Sequence, residues 1–391
     1  MAHRALVLNH NAVPPDAGGL TRTADLFRDL GEWSHLILNA TTTEGARRSY
    51  PPHFGFHSVW ASPYWSNGYA RLFNWTSYTV GALMSGSRQE SVDLVYASSP
   101  HPLVGPAALM LGARLGAPVV FEVRDLWPEV LQSMGVARKS SLQYRFLERV
   151  VETTYRHADA IVVLAEGVKD YLESMLPGQR IELIPNSVVA PVLVSESYRS
   201  ELRESLNLDG LVAVYAGAHG PANGLDRLLD AAAQLRGSEW TFLLVGRGIE
   251  KSRLMRRAEY EGLTNVVFMD PIPKGQVYDL LQAADVGLHL LADASLFEFG
   301  VSPNKLLDYW AARLPILTNV GGATQDLVDS VDGGVAVSHY RVADGLRELM
   351  GCSPDERALM GDRGRTWVLR ERNRTEMTRR LQGLLDDLVS S

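Results

Sequence analysis

The chain has 391 residues, enough for two domains of ordinary size, and 46% of them are hydrophobic, as in a typical globular protein. The formal net charge of -7 argues against a nucleic-acid-binding protein, because neutralising phosphates requires clustered Lys and Arg. The single cysteine, Cys352, excludes an internal disulfide and a cysteine metal site. The amino terminus lacks the apolar core of a signal peptide, and no apolar stretch is long enough to span a bilayer. We therefore expect a cytoplasmic protein with at most peripheral membrane contact.

Short apolar runs alternate with amphipathic stretches, and they lack the period-2 alternation of half-exposed strands. In the first half, strands are predicted at 5–8, 35–38, 94–97, 119–123, 160–164 and 181–184, and helices at 21–30, 103–115, 142–156 and 167–175. After a polar stretch, strands are predicted at 212–216, 241–245, 266–269, 286–291 and 315–318, and helices at 224–235, 250–261, 276–284, 303–312 and 342–350.

Two successive βα arrays predict an α/β protein with two Rossmann-like, doubly wound parallel-sheet domains facing a cleft. We assign residues 1–190 to the N-terminal domain and residues 191–374 to the C-terminal domain. Ligands of such sheets bind outside the carboxyl ends of the strands. The cleft between the domains is therefore the expected site.

The most informative segment is Gly300-Val-Ser-Pro-Asn-Lys-Leu-Leu-Asp308. Ser302 is a good N-cap residue, and Pro303 suits the first position of a helix. Amides at the start of this helix lack intrahelical acceptors and favour phosphate: those of Asn304, Lys305 and Leu306. Asp308 can share one helix face with the Lys305 cation. The segment predicts a nucleotide diphosphate site, with a capped helix and a local ion pair as the structural alternative.

Glycine-containing turns follow three predicted strands. They contain Gly18-Gly19, Gly217, and Gly246-Arg247-Gly248. Glycine lets backbone approach a ligand closely, and the following helix offers free amides. No turn is a complete G-x-G-x-x-G fingerprint or a Walker P-loop, and glycine also serves such turns for steric reasons.

Two polar segments follow strands of the first domain. Glu122-Val-Arg124-Asp125 is either functional or an Arg–Asp pair that ties down a loop. His101, flanked by two prolines, is held on a rigid loop and is either a site residue or structural.

An aromatic cluster lies within residues 60–75 and includes Tyr64, Trp65, Tyr69 and Phe73. Such a cluster could form an acceptor pocket or touch a membrane surface. Filling of the core is the favoured interpretation.

Several other chemistries lack their motifs. There is no D-x-D run, no H-E-x-x-H zinc motif and no G-x-S-x-G nucleophile elbow. We expect no metal site. No glycine fingerprint is followed by an acidic residue at the distance that a nicotinamide dehydrogenase requires.

Together these residues resemble the retaining family-4 glycosyltransferases of the GT-B fold, in particular bacterial enzymes that add amino or deoxy sugars in polysaccharide and O-antigen assembly. The resemblance covers nearly the whole chain. It rests on Gly18-Gly19, Glu122–Glu129, Tyr215–Gly217, Ser302–Tyr309, Leu314–Leu317 and Gly321-Gly322. It implies that the C-terminal helix, residues 375–391, packs back on the first domain.

The resemblance also implies the activity. It is a metal-independent transfer of the hexosyltransferase type, from an NDP-sugar, expected to be UDP-linked, to a hydroxyl of a glycan, a lipid-linked acceptor or a natural product. The sugar would be transferred with retention by front-face attack, with no cofactor besides the NDP-sugar co-substrate. A lipid-linked acceptor would place the enzyme at the inner membrane face.

Site roles follow from the resemblance by position. Asp308 stands where the second acidic residue of the family's E-x7-E motif binds ribose, and Lys305 and the amides near Asn304 would face the diphosphate. Gly18 and Gly19 would let the first domain approach the diphosphate and sugar. His101 resembles the histidine near the transferred sugar, and the backbone around Ile272 would hold the base.

Two departures from the family pattern keep alternatives open. Gly300 stands where the first glutamate of the motif is expected, and the usual Arg and Lys after the Tyr215–Gly217 turn are missing. Arg247 is a candidate to replace part of this diphosphate clamp. The alternatives are a nonhydrolysing UDP-sugar 2-epimerase and a noncatalytic nucleotide-sugar-binding protein.

Overall fold

The computed structural model describes residues 3–14, 21–43, 46, 47, 50, 55–64, 68–133, 138–292 and 304–390. The chain divides into two compact units. The first comprises Met1–Pro185 with Arg374–Ser391, and the second comprises Asn186–Asn373.

The first unit is built on a seven-stranded parallel sheet in the order β5-β2-β1-β6-β7-β8-β9. Its elements are β1 (His3–Leu8), α1 (Arg22–Arg28), β2 (Trp33–Ala40), β3 (Thr42–Thr43), β4 (Ala46–Arg47), β5 (Phe56–Val59), α2 (Tyr69–Gly86), β6 (Leu94–Ser98), α3 (Val104–Leu115), β7 (Val119–Val123), α4 (Glu129–Ser133), α5 (Leu142–His157), β8 (Ala160–Val163), α6 (Glu166–Met175) and β9 (Ile181–Leu183).

The second unit has a six-stranded parallel sheet in the order β12-β11-β10-β13-β14-β15. Its elements are α7 (Glu196–Ser205), β10 (Leu211–Ala216), a 3-10 turn (Pro221–Asn223), α8 (Leu225–Gln234), β11 (Trp240–Val245), α9 (Lys251–Tyr260), β12 (Val266–Met269), α10 (Lys274–Gln282), β13 (Val286–His289), α11 (Asn304–Ala311), β14 (Ile316–Thr318), α12 (Ala323–Val331), β15 (Gly334–Ala336), α13 (Val342–Gly351) and α14 (Pro354–Glu371).

The last helix, α15 (Arg374–Ser390), belongs to the first unit. Its buried residues recur every three or four positions, so one apolar face meets the core beside Phe27 and Trp33. They are Met377, Leu381, Leu384 and Leu385. The indole nitrogen of Trp33 donates a hydrogen bond to Asp386 over 2.7 Å.

Both sheets are covered by helices on both faces, which explains why the strands read as continuous apolar runs. In the first unit, α2, α3 and α5 pack on one face, and α1 and α15 pack on the other. Two parallel-sheet domains of the Rossmann type were predicted from this pattern, and the fold class is confirmed. Among the described residues, every helix is too short or too polar to cross a bilayer.

Several elements were not predicted from the sequence: β5, α2, α7, α12, β15 and α14. Helix α2 occupies the region where aromatic residues were expected to fill the core. That interpretation is wrong for Tyr69 and Phe73, which are exposed, whereas Tyr64 is buried. Trp65 lies outside the described residues.

Candidate functional site

The second unit has a switch in strand order at the centre of its sheet. The chain runs outward from β10 through β11 to β12 and then returns to the other side of β10 with β13. The helices α8 and α11 pack on opposite faces of the sheet, and a switch of this kind opens a crevice at the carboxyl edge. The glycine turn at 217–224 follows β10, and the segment that follows β13 leads into α11.

Lys305, in the first turn of α11, reaches across this crevice to the glycine turn. Its ammonium donates a hydrogen bond to Asn223 Oδ1 over 2.6 Å and lies 4.7 Å from the ring centroid of Tyr215. The Lys305 cation therefore stands at the loop from which the family's usual Arg and Lys are missing. The Lys305 side chain also lies against Gly217, another of the predicted site residues.

Gly217 is glycine for a steric reason that the structure makes plain. A Cβ at this position would overlap Lys305 Cε, and the φ angle of +156° disfavours any other residue. The neighbouring Gly246 packs its backbone on the Gly217 carbonyl oxygen, which a Cβ would overlap in turn. The two glycine turns are therefore pressed together, with Lys305 lying across the first.

Burial shapes the charge at this site. It lowers the pKa of Lys305 to about 8, so that the ammonium is still the main form near neutral pH. Burial, reinforced by the positive charges of Lys251 and Lys305, lowers the pKa of His219 to about 4. Burial and Lys305 lower the pKa of His289 to about 3. Both histidines are therefore neutral near pH 7, and the positive charge beside them is that of the Lys305 ammonium.

Asp308 lies one turn further along α11 and accepts a hydrogen bond from the hydroxyl of Tyr278 on α10 over 2.7 Å. The adjacent Tyr309 is buried, and its hydroxyl oxygen accepts the amide of Ala216 over 3.0 Å. This second bond ties α11 to the end of β10. Tyr278 and Asn223, which position the two charged residues of α11, were not among the predicted site residues.

The other predicted residues of this unit lie around the same edge. The carbonyl of Arg247 accepts the amide of His219 over 2.9 Å, and the Arg247 side chain is exposed without a hydrogen bond or ion pair to any described residue. Ile272, in the connection between β12 and α10, packs partly on the core. Asn304 is exposed at the start of α11, whereas Leu306 is buried.

Three predicted residues, Gly18, Gly19 and Ser302, lie outside the described residues, as does Gly300. No geometry is assigned to them. Among the residues that are described, no group of three or more His, Cys, Asp and Glu side chains could hold a metal ion.

His101 lies in the first unit, on the connection that follows β6. It is fully buried, stacks on Trp75 with ring centroids 5.2 Å apart, and meets His10 edge-on at 5.1 Å. Neither ring nitrogen has a hydrogen-bond partner among the described residues. Burial, with the nearby charges of His10 and Arg71, holds its pKa well below the usual value, so the ring is neutral.

Glu122 is buried and fully engaged in contacts within the first unit. Its carboxylate accepts hydrogen bonds from Arg22 (2.8 Å), Tyr96 (2.9 Å) and Ser98 (2.7 Å). Arg22 also donates to the carbonyls of Ile184 and Pro185 over 2.6 Å each. The segment 122–125 thus contributes a buried ion pair at the carboxyl end of β7, and it is formed by Glu122 with Arg22 rather than by Arg124 with Asp125, which was the structural alternative.

Two models of glycosyltransferase domains match the chain. The glycosyl transferase 4-like domain matches residues 18–187, and the domain of glycosyl transferases group 1 matches residues 210–351. The chain belongs to the family-4 glycosyltransferases.

Curated relatives of this family-4 glycosyltransferase agree with the assignment. It is 26% identical to WbjE of Pseudomonas aeruginosa, named as a glycosyltransferase, over 64% of this chain and 62% of the relative. It is 25% identical to WcaI of Escherichia coli K12, named as a colanic acid biosynthesis glycosyl transferase, over 67% of each. The matched region thus spans 67% of the length of WcaI and 62% of the length of WbjE, which is less than two thirds of that relative.

Solved structures show the same GT-B architecture. The sucrose-phosphate synthase of Thermosynechococcus elongatus superposes with a TM-score of 0.80 at 17% identity, over 99% of both chains. HepE of Anabaena, solved with UDP, superposes with a TM-score of 0.74 at 15% identity, over 98% of this chain and all of the other. At these identities the likeness concerns the fold.

Proposed function

We propose that this protein transfers a sugar from a UDP-sugar to a hydroxyl of a glycan or lipid-linked acceptor, with retention and without a metal ion or a cofactor besides the donor. The observation that carries the proposal is the reach of Lys305 from the start of α11 to the glycine turn after β10. It puts a partly buried cation and the first amides of α11 at one crevice.

This arrangement suits the departure of a nucleoside diphosphate. Charge accumulates on the leaving diphosphate as the glycosidic bond breaks, so a cation fixed beside it stabilises the transition state more than the ground state. Lys305 and the amides of Asn304 and Leu306 would supply this stabilisation. Asp308 would bind the ribose, the backbone around Ile272 would hold the base, and Arg247 would contact the diphosphate from the neighbouring turn.

Retention would follow if the acceptor hydroxyl attacks from the face that the diphosphate leaves. The departing phosphate oxygen would then take the acceptor proton, and the new bond would form with no protein nucleophile. Gly18 and Gly19 would border the donor from the first unit, and Ser302 would cap α11. A neutral His101 would offer a hydrogen bond to the transferred sugar.

The choice of UDP and of a polysaccharide acceptor rests on named relatives. HepE has been solved with UDP and with UDP-glucose, and WcaI is named for colanic acid biosynthesis. Acceptors of this kind would place the enzyme in the cytoplasm, at the inner face of the membrane.

The test is nucleotide binding by Lys305→Met, with EDTA present throughout. We expect UDP at ~100 times its dissociation constant to stabilise the natural protein by ~2.7 kcal/mol, measured as the shift of its thermal transition. Loss of a charge-assisted hydrogen bond should weaken binding roughly 10- to 100-fold in Lys305→Met. The control is Lys139→Met, which removes an exposed cation of the first unit. Undiminished UDP binding by Lys305→Met, or no stabilisation of the natural protein by any nucleotide, would overturn the proposal.

A further inference from the structure

The outward face of α2 is unusually apolar. Large apolar side chains occupy five of its exposed positions: Tyr69, Leu72, Phe73, Val80 and Met84. Their spacing places them on a single stripe of the helix, and Tyr69 and Phe73 are 87% and 60% exposed. The buried face lies opposite and carries Tyr78 and Ala82, so the exposed stripe is not the side that the core uses.

Charge is almost absent from this helix. The eighteen residues of α2 include one Arg and no Asp, Glu or Lys. A surface helix of a soluble domain ordinarily presents charged residues on its outward face. An apolar stripe with aromatic residues at one end is typical of a helix that lies in the interface of a bilayer.

Helix α5, which packs on the other side of α3, also exposes apolar side chains and adds positive charge. Leu142 and Phe146 are 83% and 62% exposed. Residues 138–157 contain five Lys and Arg against two Glu, in a chain whose net charge is -7. Four of these cations are exposed and form no ion pair with any described residue: Arg138, Lys139, Arg145 and Arg149.

The two helices lie on the same face of the sheet, and both turn these residues away from it. Helices α2 and α5 pack on either side of α3, on one face of the sheet of the first unit. Leu142, Phe146 and Arg149 lie opposite the buried Tyr144, Val151 and Tyr155 and therefore point away from the sheet, as the α2 stripe does. The first turns of both helices lie at the carboxyl edge of the sheet, the edge that carries His101.

We propose that the outward face of α2 and α5 is a docking surface for an anionic lipid bilayer. Apolar and aromatic side chains of α2 and α5 would enter the headgroup region, and the cations of α5 would meet anionic headgroups. An apolar helix without acidic residues, together with exposed cations on α5 that form no ion pair with a described residue, favours an anionic bilayer over an acidic or a purely apolar partner. This inference deepens the placement at the membrane that the proposed function includes, but its test is separate, because docking needs neither donor nor acceptor.

The experiment is co-sedimentation of the full chain with vesicles of phosphatidylcholine alone or mixed with phosphatidylglycerol. We expect binding to the mixed vesicles that weakens with salt, and at least a tenfold loss in Phe73→Asp. Arg145→Gln and Arg149→Gln should each reduce binding roughly fivefold. The matched control is Tyr260→Asp, which places the same charge at a 93% exposed aromatic position at the end of α9 in the second unit. That control should bind as the natural protein does.

Three outcomes would overturn the proposal. One is absence of binding by the natural protein to the anionic vesicles at low salt. Another is an equal loss of binding in Tyr260→Asp and Phe73→Asp. The third is a dimer in solution that Phe73→Asp dissociates, together with no vesicle binding, which would assign the face to a second copy of the chain. A circular dichroism spectrum and a thermal transition of Phe73→Asp like those of the natural protein show that the variant is folded. Because docking is measured without nucleotide, its failure is distinguishable from a failure of the proposed function.

Discussion

Lys305 is the residue on which the electrostatics of the candidate site depend, and its lowered pKa leads to a pH-dependent prediction. Because burial brings the pKa of Lys305 to about 8, the unliganded protein loses this positive charge in the mildly alkaline range. A diphosphate binds the protonated form more tightly. The affinity for UDP should therefore be constant between about pH 7 and 7.5 and fall above about pH 8, approaching tenfold per pH unit.

Calorimetric titration of UDP across this range measures the effect. Lys305→Met should bind UDP weakly with no such fall, because the titrating group is gone. The nucleotide phosphate, with a pKa of roughly 6, is already ionised over this range. A flat profile for the natural protein, or the same fall in Lys305→Met, would assign the ionisation to another group.

At the same scale, the sequence predicted the charged residues of the candidate site but not the residues that position them. Lys305 and Asp308 were predicted because a helix start with adjacent charges is a local signal, and Gly217 because it follows a strand. Asn223 and Tyr278 were missed because they meet Lys305 and Asp308 across 82 and 30 positions of the chain. Strand order and helix packing create these contacts, and neither can be read from spacing.

At the scale of elements, the buried ion pair of Arg22 and Glu122 joins α1 to the end of β7. The further hydrogen bonds of Arg22 to Ile184 and Pro185 join α1 to the point where the chain leaves the first unit. The side chains of Arg22 and Glu122 are 6% and 1% exposed, so removing one partner leaves an uncompensated buried charge. We expect Arg22→Met to lower the free energy of unfolding of the first unit by ~3–5 kcal/mol at neutral pH, measured by urea denaturation.

The loss of stability in Arg22→Met should depend on pH, because Glu122 is ionisable. Burial alone would raise the pKa of Glu122, but Arg22, Arg124 and two side-chain hydrogen bonds hold it below the usual value. In the natural protein the carboxylate therefore stabilises the fold at pH values above the ordinary pKa of about 4.3, and this contribution is lost as the pH falls through the lowered value. Without Arg22 the pKa of Glu122 rises, so protonation of Glu122 should make the loss of stability in Arg22→Met smaller at about pH 5 than at neutral pH.

The double variant Arg22→Met, Glu122→Gln removes the uncompensated charge and should regain part of the stability. No regain would show that the loss comes mainly from the missing hydrogen bonds of Arg22 to Ile184 and Pro185.

The elements that the sequence predicted are those with one unambiguous pattern. Buried parallel strands such as β8 and β10 are continuous apolar runs, and α5 alternates charged and apolar residues with the helical period. Helix α2 was missed because both its inward and outward faces carry apolar residues, which removes the contrast that marks an amphipathic helix. The apolar outward face that obscured the helical pattern in the sequence is also the face that we propose as a docking surface.

At the scale of the whole molecule, the chain crosses from the first unit to the second at Pro185 and returns at Arg374. The return makes the first unit dependent on a segment that is far along the chain from the rest of that unit. Buried leucines and a methionine of α15 complete the core beside α1, and Arg374 forms an ion pair with Asp25 over 3.3 Å. Stability of the first unit is therefore expected to respond to changes nearly 200 residues away from the rest of that unit.

Leu381→Ala tests this dependence without removing the helix. Truncating a fully buried leucine costs ~2–5 kcal/mol, a large share of the ~5–15 kcal/mol that stabilises a typical domain. Hydrogen exchange followed by peptide mapping should show faster exchange throughout β1, β2 and α1, with the peptides of β10 to β13 unchanged, and UDP should still protect the second unit. The control is Leu359→Ala on α14, where the leucine is half exposed and the loss should be small. Faster exchange confined to α15 itself, with β1 and α1 unaffected, would mean that the helix rests on a core that is already complete without it.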